Sequence, residues 1–174
     1  MYLKEERSSE PSYSIRYFIA DGDPDLRTIE SGGNPAQISK LEAADPTVSQ
    51  HWTVDPDNAE FTFISEATIH ISAFIVYDKS VTATEVESGT RLYIDKVVGL
   101  TTFPIAYSSQ NNISVNIAVN FSISTSATLH LGPGDKLAVL MAYKSTGDAV
   151  NCITKPRSDD NVPVSMIVLT YLHL

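Results

Sequence analysis

Residues 112–124 read NISVNIAVNFSIS, and this stretch decides the fold class of the chain. Every odd position from Ile113 to Ile123 is apolar, whereas the even positions carry serine, asparagine or alanine. Alternation with a period of two is typical of a β-strand that has one face in a core and the other in solvent. The pattern therefore predicts one long, half-buried strand over 112–124.

Alternating or apolar runs of similar length recur along the rest of the chain, and none has the spacing of a helix. About eight to ten strands are expected, which indicates an all-β fold, a single antiparallel jelly-roll sandwich. A flexible polar arm at residues 1–11 precedes this domain, which spans 12–174. Residues 31–46 are expected to form a loop with at most one helical turn. Residues 99–107 contain Pro104 and are expected to form an edge or connecting strand.

Charge and cysteine content exclude several classes of protein. The 174 residues carry a net charge of −9, and the largest basic cluster, 155–157, is too small for a phosphate-binding surface. Cys152 is the only cysteine, so no intrachain disulfide can form. Residues 1–12 have no apolar leader, and no run approaches the roughly 18 apolar residues that span a membrane. We expect a protein made in the cytosol, with no signal peptide, nucleic-acid partner or membrane insertion.

Residues 127–137, ATLHLGPGDKL, carry the one family resemblance in the chain. They resemble the segment of tumour-necrosis-factor-like and complement-globular-head-like jelly rolls in which a Gly-Asp turn joins two long antiparallel strands. Gly132, Gly134 and Asp135 are the turn residues, because glycine tolerates unusual φ and aspartate bonds its own backbone. The resemblance covers 47–174. It implies a homotrimer whose last strand lies mid-sheet near a threefold axis.

Jelly rolls of this kind occur in animal secreted ligands and in viral and phage spikes, fibre heads and capsid-associated proteins. The absent leader and disulfides favour the viral branch. We therefore expect a non-enzymatic virion structural protein, located in the virion, that forms a homotrimer and contacts other virion proteins or a host receptor. The alternative is a complement-like soluble recognition module that binds protein or glycan ligands.

Two sets of residues are candidates for these contacts. The final strand, 162–174, is apolar on both faces, which suggests that a second copy covers it. The distal loops at 78–90, 108–112, 145–148 and 155–161 are expected to touch the receptor or a neighbouring capsomer. The candidate oligomer-interface residues are Val164, Met166, Val168, Tyr171 and His173, and the candidate ligand-contact residues are Asp78, Lys79, Lys155, Arg157 and Asp159.

The sequence predicts no catalytic residue, no cofactor and no metal site. The four histidines are isolated, and a zinc site needs three or four converging ligands. Residues 21–25 lack the glycine and glutamate that an EF-hand requires, although an irregular calcium site there or at 159–160 stays open. An axial site built from His130 or His173 also stays open. Cys152 has the pattern of a buried apolar residue, and an enzyme of the cupin type would need a metal-binding set that is absent.

Overall fold

The computed structural model describes most of the chain as a succession of strands. The described residues are 11–21, 28–29, 32–38, 40–44, 49–79, 86–114, 120–145, 152–156, 160 and 164–173, with the side chains of 79, 86–87 and 112–114 left out. Within these ranges there is no helix. The strands are β1 (Tyr13–Ile19), β2 (Thr28–Ile29), β3 (Ala36–Gln37), β4 (Leu41–Ala43), β5 (Trp52–Asp55), β6 (Glu60–Phe63), β7 (Ala67–Lys79), β8 (Val86–Val98), β9 (Thr101–Ser114), β10 (Asn120–Leu131), β11 (Lys136–Ser145), β12 (Cys152–Thr154) and β13 (Met166–Leu172).

The strands form two antiparallel sheets that stack as a sandwich, which confirms the predicted all-β jelly roll. Sheet A has the order β2-β12-β7-β13-β1-β4, with β10 pairing along β7. Sheet B has the order β5-β6-β11-β8-β9, with β3 beside β11. Strand β13 lies between β7 and β1, so the last strand is internal in its sheet, as the resemblance implied.

One core lies between the sheets, and the period-2 pattern fills it. The odd residues of β7 and β11 point inward, from Ile69 to Tyr77 and from Leu137 to Tyr143. A fully buried isoleucine or leucine stabilises the fold by about 1.5–3 kcal/mol relative to an exposed one. Trp52 closes one part of the core, where its indole Nε1–H donates to the Tyr17 hydroxyl over 2.9 Å.

The predicted single strand over 112–124 is wrong. Residues 112–114 end β9 and pair with β8 in sheet B, whereas residues 120–124 begin β10 and pair with β7 in sheet A. Residues 115–119 lie outside the described part of the chain. Alternation of apolar and polar residues indicates that neighbouring side chains point in opposite directions, but it does not indicate which sheet a strand joins.

Two further expectations need correction. Residues 108–112, expected as a distal loop, belong to β9 and pair with β8. Residues 31–46 contain the short strands β3 and β4 instead of a helical turn, because Gln37 pairs with Leu140 and Glu42 pairs with Phe18. Pairing with a neighbouring strand, which local sequence does not encode, overrides the weak local preference.

The corner at residues 132–135 carries the chain from sheet A to sheet B. The family resemblance implied a turn that joins two long strands, and the structure places those strands in different sheets, because β10 pairs with β7 whereas β11 pairs with β6 and β8. The Asp135 carboxylate accepts a hydrogen bond from the Gly132 N–H over 3.0 Å. Gly134 has a φ of 87°, a left-handed conformation that suits glycine.

Neighbouring strands of sheet B hold this corner in place. The Gly134 N–H donates to the Phe63 carbonyl over 2.7 Å, and the Phe63 N–H donates to the Asp135 carbonyl over 2.9 Å. Lys96 contacts the Asp135 carboxylate over 2.7 Å. The hydrogen bond from Lys96, followed by the one from Gly132, lowers the pKa of Asp135. The corner therefore connects β6 and β8 to the crossing between the sheets.

We expect Asp135→Ala to lower the free energy of unfolding by about 1–2 kcal/mol, because it removes both hydrogen bonds. The folded-state pKa of Asp135 is lowered, so its stabilisation is present above the ordinary carboxyl pKa and disappears as the pH falls through the lowered value. Urea unfolding of both proteins at neutral and acidic pH measures this loss. Asp57→Ala is the control, because its ion pair with Lys40 is exposed and contributes little. Equal losses in the two variants would contradict the role of the corner.

Candidate functional site

Sheet A presents an apolar patch on its outward face. Because the odd residues of β7 and β13 fill the core, the even residues point away from it. Met166 lies opposite Phe74, and Val168 lies two residues further along the same face. Phe74 is 40% exposed, which is unusual for a large apolar side chain in the middle of a sheet. We call Phe74, Val76, Met166 and Val168 the sheet A patch.

A shallow groove of about 310 Å³ runs beside the sheet A patch. The serines and threonine of β10 form its polar wall, and Phe74, Met166 and Val168 of the patch form its apolar wall. Its lining residues are Ser72, Ala73, Phe74, Ser124, Thr125, Ser126, Met166 and Val168. A second apolar surface could pack in this groove, whereas no charged side chain lines it.

The predicted interface residues divide between two faces. Met166 and Val168 lie in the sheet A patch, and Val164 is half-buried just before β13. Tyr171 lies on the core side, where its ring stacks on His51 at a centroid distance of 4.2 Å. His173 is exposed beyond the strand, and its backbone N–H donates to Ser12 Oγ over 3.0 Å. The structure thus brings together Met166 and Val168, and the oligomer interface itself stays a prediction.

The predicted loop contacts are partly described. Asp78 and Lys155 form an ion pair of 2.9 Å, and Lys155 also donates to the Asn120 side chain over 3.0 Å. The backbone of Lys79 pairs with Cys152. Arg157 and Asp159, together with the tips at 80–85 and 146–148, lie outside the described residues.

The hairpin between β8 and β9 is an exposed tip that the sequence analysis missed. Val98 pairs with Thr101, so Gly99 and Leu100 form a two-residue turn. Gly99 has a φ of 62°, and the Leu100 side chain is fully exposed. The register places this tip at the opposite end of the sandwich from Asp78. Gly99, between two strand-forming runs, was the feature of the sequence that could have indicated this turn.

Titratable side chains do not converge on a metal centre in the described part of the chain. No group of three or more histidine, cysteine or acidic residues there could hold a metal ion. His70 and His130 lie on the outward face of sheet A and hydrogen-bond to Thr128 and Thr68. Burial raises the pKa of Cys152 to about 12, so its thiol stays protonated at neutral pH.

The fold can be compared with solved structures over nearly its whole length. Eiger TNF from S. frugiperda superposes with a TM-score of 0.55 at 16% identity, covering 94% of each chain. Murine APRIL at pH 5.0 superposes with a TM-score of 0.56 at 7% identity, covering 91% of this chain and 98% of that one. The fold is TNF-like. At these identities the likeness of the TNF-like fold extends to architecture alone.

No protein-family model and no curated protein matches the sequence. Within the described residues no helix has the length and apolarity to cross a membrane.

Asp95 is a buried carboxyl group on the outward side of sheet B. It lies opposite Ala138 and is only 5% exposed. Thr102 donates a hydrogen bond to the carboxylate, but Oδ1 has no partner among the described residues. Burial raises the pKa of Asp95, since the charged form loses its hydration. The ionised carboxylate is therefore a cost to the folded state at neutral pH.

We expect Asp95→Asn to stabilise the protein at neutral pH by about 0.5–2 kcal/mol. Because the folded-state pKa is raised, the wild type regains stability relative to the variant as the pH falls through that value. Thermal unfolding at several pH values measures the difference, and Asp57→Asn, an exposed carboxylate, is the control. A variant no more stable than the wild type at neutral pH would show that the Asp95 carboxylate has a compensating partner.

Proposed function

We propose that this chain is a non-enzymatic display protein that assembles as a homotrimer and presents its ends to a receptor. The observation that carries the proposal is the partly exposed, apolar sheet A patch in a TNF-like fold. A monomer gains nothing from keeping Phe74 exposed beside Met166 and Val168, whereas an interface buries all three.

Charge limits where a second copy can bind. Each chain has a net charge of −9, so two copies repel unless their contact avoids the acidic residues. Strands β9 and β10 are adjacent edges of the two sheets, and neither contains a lysine, arginine, aspartate or glutamate. This side of the sandwich can therefore approach the sheet A patch with few charges, namely Glu66 beside His130 at one end of β10 and the Asp78–Lys155 pair at the other.

The patch and the uncharged side are different surfaces of one chain. A contact between them is heterologous, since each copy offers one surface to one neighbour and the other surface to the next. Such contacts either close into a ring or grow into a filament. Jelly rolls of the TNF-like kind are overwhelmingly trimeric, which supports closure at three copies, with β13 facing the axis.

Receptor contact falls to the ends of the assembly. The hairpin tip at Val98–Leu100 exposes apolar side chains at one end, and the segment around Asp78 and Lys155 lies at the other. Three copies of one weak contact bind a multivalent surface more tightly than one copy does. In our proposal the trimer itself is part of a virion, as a spike, fibre head or capsid-associated subunit. Viral jelly rolls share this fold, and the single buried cysteine forms no disulfide.

We expect light scattering of the purified chain to give a native mass near three times 19.0 kDa. Phe74→Glu places a charge in the sheet A patch and should yield monomers, because an unpaired charge in an interface is costly. Thr53→Glu, an exposed position on β5, is the matched control and should leave the mass unchanged. A monomeric wild type, or a Phe74→Glu protein that keeps the wild-type mass, would refute assembly through this face.

The virion setting has its own test. We expect immunogold labelling with an antibody against the chain to decorate particles purified from the source. Protein found free in extracellular fluid and absent from particles would favour the complement-like recognition module instead.

A further inference from the structure

Two basic side chains on the outward face of sheet B have no carboxylate partner among the described residues. They are Arg91 on β8 and Lys144 on β11, and both are exposed. The lack of a described carboxylate partner is unusual in so acidic a chain, since the other lysines with described side chains form ion pairs. These pairs are Lys40 with Asp57, Lys96 with Asp135, Lys136 with Glu60 and Lys155 with Asp78. Among the described side chains, which do not include Glu85 or Glu87, no carboxylate competes with an external anion for Arg91 and Lys144.

The register of the sheet places these two cations side by side. Arg91 lies opposite Ala142, and Lys144 lies opposite Gly89. They are diagonal neighbours, roughly 7–8 Å apart at the backbone. Gly89 has no side chain and Ala142 has only a methyl group, so no bulky side chain rises from the sheet between the two cations. The carbon stem of Lys144 runs beside Gly33.

An aromatic pair borders the cations. Tyr93 follows Arg91 on the same face and lies opposite Tyr107 on β9. The two rings have a centroid distance of 6.1 Å and an interplanar angle of 33°, and Tyr107 is 64% exposed. Arg91 hydrogen-bonds to the side chain of Tyr93, which orients the guanidinium next to the rings. The Arg91 guanidinium thus lies beside a tyrosine pair of which one ring is exposed.

This combination selects for one chemical class of ligand. An arginine fork matches a carboxylate. The C–H face of a sugar ring packs on an exposed tyrosine, whose ring face is electron-rich. Ser109 and Asn111 lie on the same outward face of β9 and offer hydroxyl and amide groups to sugar hydroxyls. Nucleic acid is disfavoured, because two cations on a chain of net charge −9 neutralise too few phosphates.

We propose that the outward face of sheet B, formed by Arg91, Tyr93, Tyr107 and Lys144, binds a carboxylate-bearing sugar at the surface of a cell. A sialic acid and a uronic acid both present this chemistry, and the experiment separates them. The inference goes beyond the proposed assembly, because all four residues belong to one chain and lie on the outward face of sheet B, although Tyr107 is on β9, whose edge the proposed assembly uses. A trimer would present three such sites and gain avidity.

Saturation-transfer NMR with the full chain tests the proposal, with sialyllactose, an unsulfated uronic-acid tetrasaccharide and neutral lactose as probes. We expect an acidic probe to bind with a Kd on the order of 1 mM and lactose to give no signal. Sialyllactose binding alone assigns a sialic acid, and tetrasaccharide binding alone assigns a uronic acid. Binding of neither probe, or equal binding of lactose, would overturn the proposal.

Variants locate the binding on this face. We expect Arg91→Gln to weaken binding about tenfold or more, and Tyr107→Ala to weaken it by a similar factor. Lys40→Gln removes an exposed cation elsewhere and should leave binding unchanged. Thermal unfolding confirms that each variant folds. If Arg91→Gln binds as tightly as the wild type, the site is not where we place it.

Light scattering of the same samples separates this inference from the proposed assembly. A monomer that binds the acidic sugar supports the site on sheet B and refutes the trimer. A trimer that binds neither acidic probe refutes the site alone.

Discussion

The two sheets close over one shared core, and this closure constrains the direction of all the side chains along the strands of the sandwich. Strands β7 and β11 supply the centre of that core, and Tyr77 packs edge-on against Tyr143 across it. Because side chains alternate along a strand, a residue that enters the core sends both neighbours outward. The apolar sheet A patch and the basic and aromatic face of sheet B are consequences of the same alternation, seen from opposite sides.

The outward faces differ in character because charge is distributed unevenly. Most described lysines are used in ion pairs near strand ends and corners, as Lys96 is with Asp135. Strands β9 and β10 contain no lysine, arginine, aspartate or glutamate, so the side of the sandwich that these two strands form carries few charges in an acidic protein. The two proposed surfaces meet on β9, whose edge belongs to the uncharged side and whose outward face carries Tyr107.

Several features were predictable because local chemistry specifies them. The alternation in β7, the apolar run of β11 and the glycine and aspartate of the corner all identify an antiparallel sandwich. Pro104 marks β9 as an edge strand, since proline cannot donate to a ladder, and the structure has β9 paired only with β8 in the described residues. Burial of Cys152 also follows from its apolar neighbours and is confirmed.

Other features depend on which strands meet. Residues 112–114 and 120–124 belong to two strands in different sheets. Apolar residues alternate with a period of two in both sheets, so the pattern could not show the change of sheet. Tyr171 faces the core, one residue out of phase with the patch, so an apolar strand cannot be assigned to an interface as a whole. The grouping of Arg91, Tyr93 and Tyr107 with Lys144 brings the β8–β9 hairpin together with β11, which follows only after β10.

The sequence by itself determined that this protein is an acidic, all-β, jelly-roll chain with a TNF-like corner, because period-2 alternation and turn chemistry act over a few residues. Only the tertiary structure decided which outward faces are apolar, neutral or basic. Register between strands distant in sequence sets those neighbours, and register is a property of the whole fold.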